Sequence, residues 1–123
     1  LEEGKEAWLD IHPMKDAAEN PVSSELLKTM IAEYSGWHWL NRDPQKRNPE
    51  GTIEMLEGIK VPTLIVAGDN SHPVLKEMVL LQAKNIPNSK KITLENSNHM
   101  LNIENPVQFN NELERFLSEN GIK

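Results

Sequence analysis

The feature that most constrains this chain is the continuous apolar run from Val61 to Ala67, which leads into Gly68-Asp69. Its length suits a strand. Its lack of polar alternation means that both faces of that strand are covered, the habit of a parallel sheet. A parallel neighbour needs a crossover, and the next segment supplies one. Residues 73–84 read as a helix, with Pro73 suited to the first turn. Its apolar stripe is Val74, Met78 and Leu81, with Leu75 and Val79 beside it. Ile86-Pro87-Asn88 stops it, and Lys91 to Glu95 forms a second, shorter strand. The two strands are therefore expected to be parallel, with a right-handed crossover. Asn105 caps and Pro106 opens a last helix, whose buried face is Phe109, Leu113, Phe116 and Leu117.

The residues before this unit read differently. Residues 3–19 are helix-compatible but broken at His12-Pro13, because the residue before a proline is pushed out of the α region. After Asn20-Pro21, Ser23 or Ser24 is expected to cap a helix striped by Leu27, Met30, Ile31 and Tyr34 and ending near Ser35-Gly36. Trp37 through Pro49 reads as a loop, long for a compact domain. Gly51 to Glu57 reads as a short helix carrying Ile53, Leu56 and Met55. The organisation expected is a helical segment, 1–49, followed by a strand-helix-strand-helix segment, 50–123.

At 123 residues the chain has about the size of one domain. The net charge is −6 with both signs interspersed, which argues against a nucleic-acid surface. There is no cysteine, hence no disulfide framework or thiol chemistry, and the expected location is the cytoplasm. No apolar run approaches the ~18 residues of a membrane span. His12, His38, His72 and His99 show no metal-ligand spacing, so no metal and no cofactor are expected. The first residue is Leu1 rather than methionine, as in a chain freed of a tag, a proteolytic product or an excised fragment.

His99 is the residue with the clearest chemical position. It sits in Asn98-His99-Met100, between the second strand and the last helix, where α/β enzymes place a general base. The same residues carry a family resemblance. Pro62 to Gly68 with its acidic turn, Asn98-His99-Met100, Glu104-Asn105-Pro106 and the terminal Phe116-Leu117, in this order and spacing, resemble the C-terminal part of the α/β-hydrolase fold. The resemblance spans residues 53–119. Residues 5–49, with Trp8-Leu9, Pro13 and Tyr34 through Asp43-Pro44, are similar to the helical caps of hydrolases of small esters or lactones.

This resemblance implies that His99 is the catalytic base, taking a proton from a hydroxyl and returning it to the leaving group. The family's acid stands three residues after the strand-ending glycine, a position held here by Ser71. Asp69 lies two residues earlier, and reads either as an acid or as a turn aspartate. Trp37, Trp39 and Met100 are candidates for lining a substrate pocket; Trp37 and Trp39 could equally pack the cap on the main domain. None of the six glycines opens a Gly-x-Ser-x-Gly turn, so the nucleophile that the family requires is expected upstream of Leu1. The chain alone is then expected to be inert, since loss of a triad serine has cost about 10⁶-fold in turnover. A non-catalytic, self-associating module that has lost the chemistry is the other reading. An isolated strand pair presents an open edge. A homodimer is therefore expected, through strand 62–68 paired antiparallel or by exchange of cap helices.

Overall fold

The structure, a computed structural model, describes residues 1–41 and 52–122. Eight helices and two strands lie among them. Cα packing divides the chain into two compact units, Leu1–Glu50 and Gly51–Lys123.

The first unit is helical. α1 (Glu2–Leu9) and α2 (Met14–Glu19) are separated at His12-Pro13, as the proline requires. α3 (Ser24–Glu33) buries Leu27 and Ile31, whereas Met30 of the expected stripe is exposed. Ser23 precedes α3 but does not cap it with its side chain. The buried hydroxyl donates instead to the Ala17 carbonyl at 2.7 Å and ties α3 to α2. Trp37–Leu40, expected as the start of a loop, forms a short helix, α4. Gly36 makes this possible by taking a left-handed φ of 69°. Trp39 then packs edge-on against Trp8 and Tyr34, with ring centroids 5.1 and 5.2 Å away, at separations that aromatic pairs favour. The remainder of the expected loop, 42–49, lies outside the described residues.

The second unit runs α5 (Thr52–Leu56), β1 (Thr63–Gly68), α6 (Pro73–Asn85), β2 (Ser89–Leu94), α7 (Leu101–Glu104) and α8 (Pro106–Glu119). β1 and β2 are parallel, in register from Thr63 opposite Ser89 to Gly68 opposite Leu94. β1 begins two residues later than the apolar run, because Val61 is 66% exposed ahead of Pro62.

Alternation along the strands assigns their faces. Ser89 lies on the face of Ile65 and Ala67, and its hydroxyl has the carbonyls of Ile86 and Ala83 within reach as acceptors, so α6 covers that face. Lys90 lies on the opposite face and pairs with Glu119 of α8 at 2.7 Å. Ile65 and Ala67 are buried on the first face, Leu94 on the second.

α6 is rotated from the expected setting. Val74, Met78 and Leu81 are exposed, and Leu75, Val79, Ala83 and Ile86 turn inward. Both sets recur at helical spacing, so the pattern alone does not choose between them. The C-terminal end of the helix decides it, where Ile86 is buried and Ser89 bonds back to Ala83. α8 packs as expected: Phe116 is buried, Phe109, Leu113 and Leu117 are half-buried, and Asn105 accepts from the Gln108 amide as N-cap.

Candidate active site

Two loops meet at the C-terminal ends of the strands. One follows β1, residues 69–72; the other follows β2, residues 95–100. They touch backbone to backbone at Gly68. A methyl group there would collide with the carbonyl oxygens of Ser97 and Asn98. The glycine is required by this close approach, not by a left-handed backbone.

Hydrogen bonds then join the loops. Asn70 N donates to Ser97 O at 3.0 Å, and Asp69 Oδ1 accepts from Ser97 N at 3.1 Å. Ser71 Oγ donates to Asn98 O at 2.8 Å. Asn98 N donates to Glu104 Oε2, which reaches back from α7. Asn96 supplies the left-handed residue of the second loop, with φ 52°, a conformation that asparagine tolerates better than most residues.

His99 projects from this junction, exposed, with no hydrogen bond or ion pair to its ring among the described residues. It lines a cleft of about 200 Å³ with Ser71, Val66, Leu75, Met78 and Leu101. Asp69 lies in a different hollow, of about 320 Å³, beside Lys76, Lys91 and Thr93. Ser71 and His99 therefore line one cleft, and Asp69 lines an adjoining hollow instead. The Ser97 amide, with help from that of Asn96, holds the Asp69 carboxyl below its ordinary value of 3.8. This is the behaviour of a turn aspartate that fastens a loop.

Met100 is half-buried and does not line the His99 cleft. Trp37 and Trp39 belong to the first unit. Trp39 borders an apolar hollow of about 470 Å³ with Trp8, Ile11, Gly4 and Ala7, whereas Trp37 stands outside it, edge-on to His38. No group of three or more metal-ligating side chains occurs among the described residues. No helix there is long and apolar enough to cross a membrane.

Glu104 is the residue that sequence reasoning passed over. It is only 4% exposed, and its Oε1 is buried without a hydrogen-bond partner among the described residues. The signal was Glu104-Asn105-Pro106 itself: a carboxylate five residues after the histidine, before a capped helix.

The geometry has a counterpart among solved structures. MenH from S. aureus matches with a TM-score of 0.83 over 98% of this chain, at 24% identity. The chain carries part of an α/β-hydrolase fold. It spans 46% of the length of the MenH chain, so the likeness covers about half of that protein. No family model matches the sequence, and no curated protein does.

Proposed function

We propose that the chain is the cap and C-terminal portion of a serine-type α/β hydrolase acting on a small carboxylic ester or lactone, with His99 as general base. The observation that carries this reading is the position of His99. It stands at the C-terminal end of a parallel strand pair, exposed in an apolar cleft, on a fold shared with half of MenH. An imidazole titrates near neutral pH and can shuttle the proton of an attacking hydroxyl. Ser71 occupies the acid position and shares the cleft, but a hydroxyl cannot stabilise an imidazolium by charge. Asp69 is the other acid candidate, and its carboxylate is engaged by Ser97 N. In this reading residues 1–49 are the cap segment, and Trp37, Trp39 and Met100 are the proposed substrate-contacting residues.

The test is the coding sequence on the 5′ side of Leu1, followed by assay of its product with p-nitrophenyl esters and lactones. The reading expects an in-frame Gly-x-Ser-x-Gly, and turnover that falls by about 10⁴- to 10⁶-fold in His99→Ala. A start codon without that motif, or turnover indifferent to His99, overturns it.

One observation favours a second reading, a self-associating module without catalysis. The outer edge of β1 has no ladder partner among the described residues, and Val74, Met78 and Leu81 are exposed on α6. Two copies pairing this edge antiparallel, or exchanging helices of residues 1–49, would cover apolar surface. A light-scattering mass equal to one chain at micromolar concentration defeats it.

A further inference from the structure

We propose that Ser71 and Glu104 are positioning residues for His99, holding the preceding residue, Asn98, from both of its backbone groups. The proposal rests on the reading of His99 as general base. Asn98 is the last residue before the histidine, so its amide and carbonyl fix the direction in which the His99 backbone leaves the loop. The carbonyl accepts from Ser71 Oγ, and the amide donates to Glu104 Oε2. Ser71 is itself anchored to the strand end, its N–H donating to the Gly68 carbonyl at 3.2 Å. Glu104 is anchored on α7. The clamp therefore ties the histidine to β1 on one side and to the helical turn on the other.

The energetics mark Glu104 as more than filler. A carboxylate loses hydration when buried, and this one is 4% exposed with Oε1 unpartnered among the described residues. Satisfying one amide does not require a charge. A side-chain oxygen at this reach, charged or neutral, is what holds the Asn98 amide. Ser71 has a single proton to donate, and it goes to Asn98 O rather than into the cleft. At the position where the related fold places its acid, this chain orients the histidine through the backbone.

The test uses the ¹⁵N-labelled 123-residue chain and three variants. Glu104→Met keeps the length of the side chain and removes the acceptor. Glu104→Gln keeps an acceptor at the same reach. Ser71→Ala deletes only the hydroxyl at the opposite end. In Glu104→Met, exchange of the Asn98 amide is expected to accelerate roughly 10- to 100-fold relative to the β1 amides. The His99 Hα–Hβ couplings are expected to become averaged. Glu104→Gln should restore most of both, which a mere loss of packing would not allow. Ser71→Ala should average the His99 couplings while leaving β1 protected, and it serves if Glu104→Met does not fold. Unchanged Asn98 exchange and His99 couplings in Glu104→Met, or in Ser71→Ala where that variant must stand in, overturn the proposal. None of these readouts uses turnover, so failure of the clamp is distinguishable from failure of His99 as a base.

Discussion

Replacing Gly68 by alanine tests how the two loops are held together. The added methyl group meets two carbonyl oxygens, those of Ser97 and Asn98, and both belong to backbone. Neither can swing aside as a flexible side chain does. Relief requires the 95–100 loop to lift from the strand end. That movement strains the bonds from Asp69, Asn70 and Ser71 to Ser97 and Asn98. Overpacking of this kind costs about 1–3 kcal/mol, and each neutral hydrogen bond lost adds about 1 kcal/mol. The expected destabilisation of the second unit is therefore about 2–4 kcal/mol, or roughly 30- to 1000-fold in its folding equilibrium. The assay has to be chosen with care, because Trp8, Trp37 and Trp39 all lie in the first unit, where fluorescence would miss the effect. Urea unfolding followed by the amide resonances of β1 and β2 reads the second unit directly. A midpoint within error of wild type, with the Ser97 and Asn98 amides unshifted, would show that the loops are not in contact as described.

Three further outcomes are expected. Asp69 has a lowered pKa, so its contribution to the loop is complete above the ordinary carboxylate range and is lost as pH falls through the lowered value. The Ser97 amide shift should titrate with a midpoint below 3.8 and lose that titration in Asp69→Asn; a midpoint at or above 3.8 contradicts the assignment. Leu94 is fully buried beneath the strand pair, and Leu94→Ala should cost about 2–5 kcal/mol in the second unit, measured by the same urea titration. Trp39→Ala removes two edge contacts, to Trp8 and Tyr34, and should destabilise the first unit by about 1–3 kcal/mol on fluorescence-monitored unfolding, with the β1 amides unshifted as the check on independence.

Much of the second unit was legible because its signals are local. A long apolar run, a proline at a helix start and an asparagine cap each act on their own neighbours. The order strand, helix, strand then leaves parallel pairing as the natural outcome. Rotation of α6 was not legible. Its apolar residues lie on two adjacent stripes, and contacts at Ile86 and Ser89 decide which one faces the sheet. Position 71 was visible as the place of an acid, but its hydroxyl bond depends on a carbonyl 27 residues away in sequence. Burial of Glu104 was hidden for the same reason. A carboxylate in a polar stretch reads as solvated until the tertiary structure supplies the amide that it receives. Trp37–Leu40 read as loop because the aromatic cluster that steadies it is assembled from three separate elements.

The junction at Gly68 also sets how many degrees of freedom the imidazole retains. With Asn98 bonded on both its amide and its carbonyl, the peptide groups on either side of it are held. The ring then turns chiefly about χ1 and χ2. With three staggered wells for the first and about two broad ones for the second, the ring has roughly six orientations to visit. A group entering the cleft therefore meets a short catalogue of ring-nitrogen directions rather than a continuous arc, and the cleft walls decide which rotamer stays open.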